Sequence, residues 1–212
     1  MRTLRKGSKG EDVKQLQRAL HLYEDGIFGP LTEEAVKQFQ KKYGLVADGI
    51  VGSKTWDALG LGGQLNLKSK RTITEIIVHC TASPEGVPMT VEQIRKMHIK
   101  ERGFSDIGYH FVIYLDGSVH AGRNVNVSGA HCKNHNPHSI GVCYVGGLKN
   151  IPNVPYSKLP PKDTRTQAQK DGLLKLLRDL KRMYPKATIH GHREFAKKDC
   201  PCFDAKKEYA GL

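Results

Sequence analysis

Thirteen residues near the C-terminus, His190-Gly-His-Arg-Glu-Phe-Ala-Lys-Lys-Asp-Cys-Pro-Cys202, hold two imidazoles, two thiols and two ammonium groups. Histidine nitrogens and cysteine thiolates are the usual ligands of zinc, and a catalytic zinc commonly takes three protein ligands and leaves a fourth position to water. His190 and His192 are two residues apart, so on an extended segment they face opposite sides and one of them enters a site. Cys200 or Cys202 supplies a thiolate. A third ligand must come from elsewhere, and His79, at the end of the apolar run Glu75-Ile-Ile-Val-His-Cys80, is a candidate. The residue types alone leave the choice within each pair open.

These residues need a scaffold. The run 75–80, rich in β-branched residues, reads as a buried strand. Thr90 and Gln93 form a capping box for a helix carrying Val91, Ile94, Met97 and His98 on one face and stopping near Gly103. The stretch 109–121, with Asp116-Gly117 at its centre, reads as a hairpin with a two-residue turn. Residues 139–145 and 187–191 read as further strands. Thr166 to Tyr184 is the strongest helix, with Leu173, Leu174, Leu177, Leu180 and Tyr184 along one stripe and Pro185 at its end. Strands interleaved with helices predict an α/β domain, a mixed central sheet flanked by helices.

Residues 1–61 form a separate, small three-helix domain. Asp25-Gly-Ile-Phe-Gly returns 23 residues later as Asp48-Gly-Ile-Val-Gly, each preceding a helix start. Thr32 and Ser53 are candidate N-caps, and Ser8 with Glu11 reads as a capping box. Residues 62–71, glycine-rich and then basic, read as a linker to a second domain over 72–212.

Composition narrows the function classes. The chain of 212 residues has a net charge of +13, of which residues 1–63 carry only +2, so the basic half is the half with the histidines. That favours a polyanionic partner such as nucleic acid, a membrane surface or an anionic cell wall. No recognition motif supports nucleic acid, and no apolar run approaches the ~20 residues of a membrane helix, so stable membrane insertion is not expected. The basic N-terminus has no apolar segment behind it, so a location in a bacterial host cytoplasm before release is expected. Five cysteines without an export signal suit thiols or metal ligands better than a disulfide framework.

Residues 3–61, through Gly7-Ser-x-Gly-x-x-Val-x-x-Leu-Gln17, Ala35-Val-x-x-Phe-Gln40 and both DGxxG turns, resemble the small peptidoglycan-binding domain found beside cell-wall hydrolases. Residues 72–209 resemble the zinc amidases that include phage lysins and relatives of peptidoglycan recognition proteins. That likeness rests on Ile77-Val-His-Cys-Thr-Ala, Asp106-Ile-Gly-Tyr-His-Phe, Asp116-Gly-Ser-Val-His-Ala-Gly-Arg, His138-Ser-Ile-Gly-Val-Cys-Tyr and Gly191-His-Arg-Glu-Phe-Ala-Lys-Lys-Asp-Cys-Pro. It implies an N-acetylmuramoyl-L-alanine amidase in which zinc-activated water cuts between muramic acid and the stem peptide. It further implies His79, His192 and Cys200 as zinc ligands, Tyr109 and Lys198 as catalytic partners, and His131 and Asn136 in the substrate cleft. Under the resemblance His190 and Cys202 fall outside the ligand set. A monomer acting on polymeric peptidoglycan is expected. A zinc peptidase acting within the stem peptide and a non-catalytic recognition protein are the competing readings.

Overall fold

The computed structural model describes residues 2–59, 65 and 67–212, and the chain divides into two units, residues 1–65 and 66–212. Residues 62–64 and 66 of the expected linker lie outside the described residues. Its last part is not free chain. Ser69 Oγ donates to the Val125 carbonyl at 2.6 Å and Arg71 reaches the carbonyls of Val125, Asn136, Pro137 and Ser139, all in the second unit.

The first unit has three helices, α1 (Glu11–Ala19), α2 (Pro30–Lys42) and α3 (Ser53–Ala58). Its core is Leu4, Val13, Leu16, Phe28, Val36, Val51 and Trp56. The helix starts differ from the sequence expectation. Helix α1 begins after Gly10, so Ser8 lies too far upstream to cap it, and its Oγ instead accepts from Arg5 N–H at 3.0 Å. Helix α2 begins at Pro30 with Gly29 before it, where a proline at the first helical position sacrifices no hydrogen bond. Thr32 is therefore inside the helix, and Ser53 is likewise the first residue of α3, behind Gly52, whose carbonyl accepts from Trp56 N–H.

What the repeat encodes is a glutamine lock. Gln17 is 2% exposed; its Nε2 donates to Asp25 Oδ1, the Ile27 carbonyl and Thr32 Oγ1, and its Oε1 accepts from Gly26 N–H. Gln40 repeats every one of these bonds with Asp48, Ile50, Thr55 and Gly49. The glutamines of the Leu-Gln and Phe-Gln pairs are thus the buried halves of two equivalent turns.

The second unit contains, in order, β1 (Glu75–Cys80), β2 (Ser83–Pro84), α4 (Val91–Arg102), β3 (Phe111–Ile113), β4 (Val119–Ala121), β5 (Ser139–Tyr144), β6 (Gly147–Leu148), α5 (Gln167–Met183), β7 (Thr188–Gly191) and α6 (Ala205–Glu208). The main sheet runs β4-β3-β5-β1-β7, with β3–β4 antiparallel and the other pairs parallel; β2 and β6 form a separate parallel pair. Strand β1 lies inside the sheet, between β5 and β7, and is buried along nearly its whole length, as its apolar run requires. The α/β expectation of a mixed sheet with helices is met.

Thr90 and Thr166 make the capping boxes of α4 and α5, and Gly103 ends α4 in the left-handed region. The buried stripe of α5 is Leu173, Leu176, Leu177 and Leu180, with Leu174 only half-buried. Gln169, fully buried, ties this helix to the sheet by donating to the carbonyls of Ile113 and Val145. The hairpin turn is longer than the two residues expected. Tyr114 N–H pairs with the Ser118 carbonyl and Gly117, at φ 82°, donates back to Tyr114, giving a three-residue loop.

Candidate functional site

His79 sits near the C-terminal end of β1, 1% exposed and flanked in register by Cys143 of β5. Strand β7 stops at Gly191, and His192 opens the short 3-10 turn 192–194 that follows, so the two histidines of the cluster separate by leaving the strand. The His192 ring centroid lies 4.6 Å from that of His79. His190 turns elsewhere, its Nδ1 2.8 Å from Glu194 Oε2 and its Nε2 2.8 Å from Thr188 Oγ1. Glu194 also accepts from Gly191 N–H, so this carboxylate closes the strand end.

Cys200 returns to the same place. Its Sγ is 3.7 Å from His79 Nδ1 and accepts from Cys80 N–H at 3.3 Å. The segment behind it is anchored from both sides. Tyr144 Oη donates to the Pro201 carbonyl, and the buried guanidinium of Arg165 stacks 3.3 Å over the Phe203 ring while bonding Glu208 and Tyr209. Cys202 points away, its Sγ 3.8 Å from Cys80 Sγ and donating to the Gly147 carbonyl.

One ligand atom each from His79, His192 and Cys200 lies within 4.8 Å of the others. The electrostatics suit a cation ligand set. Burial, with neighbouring His131, His192 and Lys198 adding to it, holds the His79 pKa well below 6.5. Burial, then Lys198, lowers His192 to about 4. Both imidazoles are therefore neutral at pH 7, with lone pairs available, and two neutral nitrogens with one thiolate fit Zn²⁺.

His131 stands behind His79. It is 8% exposed, with its Nδ1 3.0 Å from His79 Nε2 and its Nε2 3.3 Å from Ser139 Oγ. When His79 uses Nδ1 for a metal, Nε2–H donates to His131, and His131 Nε2–H donates to Ser139, so a single set of tautomers satisfies the chain. Gly141 makes room for the His131 ring, since a Cβ there would come 2.5 Å from His131 Cδ2. Asn136 Oδ1 accepts from the N–H groups of His131 and Cys132, both at 2.9 Å, and so shapes the turn that presents the imidazole. The two residues assigned to the cleft by resemblance are thereby engaged in positioning.

Tyr109 lies on the other side of His79, with ring centroids 5.2 Å apart. Burial, followed by the thiols of Cys143, Cys200 and Cys80, pushes its pKa well above 10, so it is protonated. Lys198 is exposed on the loop between His192 and Cys200. Its positive charge acts on both His79 and His192.

The chain is similar to known proteins over both units. Residues 9–59 match the peptidoglycan binding domain family and residues 69–203 match the N-acetylmuramoyl-L-alanine amidase family. The endolysin of Klebsiella phage KP32 is 38% identical over 144 residues, covering 68% of this chain and 90% of that protein. The endolysin of Escherichia phage T7 gives the same identity and coverage. The solved N-acetylmuramoyl-L-alanine amidase LysC from Clostridium intestinale is 27% identical with a TM-score of 0.53, covering 66% of this chain and 83% of that one. The chain belongs to the N-acetylmuramoyl-L-alanine amidase family, as a cell-wall hydrolase of the endolysin kind carrying an N-terminal peptidoglycan-binding domain.

Proposed function

We propose that the chain hydrolyses the amide between the lactyl group of N-acetylmuramic acid and the L-alanine of the stem peptide, with Zn²⁺ held by His79, His192 and Cys200. The observation that carries this reading is the convergence of two neutral imidazoles and one thiol at the ends of β1 and β7. When bound, zinc supplies Lewis acidity and a water whose pKa falls towards ~7.

The protein's own residues do the rest. The ammonium of Lys198, on the exposed rim, offsets negative charge developing on the scissile carbonyl oxygen, a contribution of about 3 kcal/mol for a well-aimed group. Tyr109, held protonated, donates a hydrogen bond rather than accepting a proton. His131 keeps His79 in the tautomer that leaves Nδ1 free. The surplus of positive charge on the second unit draws it to anionic wall polymer, and the first unit retains the enzyme there as a monomer. Release into the wall compartment follows synthesis in the host cytoplasm.

Purified sacculi incubated with the protein should gain N-terminal alanine amines, and a chelator should abolish the gain. Release of reducing sugar ends instead would overturn the reading.

A further inference from the structure

Strand β1 carries a second convergence of ligand atoms at its other end. Glu75 opens the strand, fixed in register by Ser139 on one side and Thr188 on the other. His135 and His138 bracket the 3-10 turn 136–138 just before β5. His135 Nδ1 is 2.8 Å and His138 Nε2 3.3 Å from the same oxygen, Glu75 Oε2. The three donor atoms lie within 4.8 Å of one another, the same bound that holds for His79, His192 and Cys200. Bonds of ~2.0–2.2 Å to a tetrahedral ion put neighbouring ligand atoms about 3.4 Å apart, so small rotations close this set around a metal.

The surroundings also fit. Among the described residues, the ion-pair partners of Glu75 are these two imidazoles, with no Lys or Arg, although the chain carries +13 overall. The side chains are 17% (Glu75), 25% (His135) and 39% (His138) exposed, open enough for an ion to enter. They are also held in place. The His135 ring packs 3.9 Å from Phe195, and the His138 carbonyl accepts from Thr74 N–H.

We propose that Glu75, His135 and His138 form a second metal site, taking a divalent transition-metal ion through His135 Nδ1, His138 Nε2 and the Glu75 carboxylate, with solvent in the remaining positions. Two imidazoles and one carboxylate select Zn²⁺, Co²⁺, Ni²⁺ or Cu²⁺ over Mg²⁺ and Ca²⁺. The site is separate from the His79 centre, since four residue steps along the strand put Glu75 about 13 Å from His79. One segment touches both. His131 meets His79, while His135 and His138 meet Glu75. An ion at Glu75 therefore clamps the far end of the segment that holds His131 against His79.

Cobalt titration of the whole metal-free chain tests this. A thiolate ligand gives cobalt a strong near-ultraviolet charge-transfer band, and a site of imidazoles and carboxylate gives only weak visible bands. The wild type should take two equivalents of Co²⁺, and Cys200→Ser should lose the charge-transfer band while still binding one. Glu75→Gln and His138→Asn should each keep that band, which also reports an intact fold, and drop from two equivalents to one. A single equivalent in the wild type, or two equivalents persisting in both variants, would overturn the proposal.

Discussion

His79 Nε2 and His131 Nδ1 are 3.0 Å apart in the interior of the second unit, leaving His79 Nδ1 directed to Cys200 Sγ. An outer imidazole thus dictates which nitrogen of the inner one is available. Removing such a partner typically lowers metal affinity 10–100-fold. His131→Ala should therefore weaken zinc retention by roughly that factor in competition with a chelator. Gly141→Ala should do the same while leaving every imidazole in the sequence, because its Cβ would displace the His131 ring. Unchanged zinc affinity in both variants would show that His131 has no hold on the centre.

The two histidines of the C-terminal cluster should behave oppositely. His192→Ala should remove stoichiometric zinc and activity together. His190→Ala removes a bond to Glu194 and one to Thr188, which lie at the strand end outside the ligand set. It should retain the metal and lose about 1–2 kcal/mol of stability. Metal analysis of the purified variants checks this, and the reverse pattern would assign the ligand to the other strand face.

Acid should destabilise the second unit in a defined window. His98 and His110 are lowered to about 4, in both cases chiefly by burial, against an ordinary value of 6.5. Between those values the unfolded chain binds more protons than the folded one, so stability rises with pH there. It is fully present above 6.5 and is lost as pH falls towards 4, with a slope of about 1.4 kcal/mol per pH unit for each histidine. Urea midpoints measured from pH 7.5 to 4.5 should fall accordingly, and a flat profile would contradict the burial of these imidazoles.

In the first unit, Gln40→Leu should cost about 2–3 kcal/mol. It leaves the buried Thr55 and the Gly49 N–H without their glutamine partner. Gln17→Leu should cost a similar amount, because the two turns make equivalent bonds. Thermal unfolding of each variant reads the loss, and a shift in one repeat only would break the equivalence.

Much of this was legible in the residues. The unbroken β-branched run marked β1 as a buried strand, and the Thr90-x-x-Gln93 box gave the start of α4 to the residue, because capping is a local interaction; the same pattern at Thr166 and Gln169 caps α5. Helix starts in the repeat were missed where a glycine and a proline took over from Ser8, Thr32 and Ser53. The two-residue hairpin failed because Gly117 takes its positive φ at the third loop position. Within the site, spacing alone could not separate His190 from His192, since the strand ends between them. The work of His131 was hidden because it depends on a contact with a residue 52 positions away and on room left by Gly141, while Asn136 acts through local bonds to the His131 and Cys132 N–H groups that matter only once His131 is placed. The signal that could have raised the Glu75 cluster was His135-Asn-Pro-His138 directly before a strand, but only pairing β5 with β1 brings the carboxylate to it.

Mass spectrometry of fragments from digested sacculi, with and without chelator, bears most directly on the central claim. The expected products are muramic acid with a free lactyl carboxylate and stem peptides beginning at L-alanine, both absent when chelator is present. Stem peptides cut at an internal bond, or the same amidase products at undiminished yield in chelator, would contradict it.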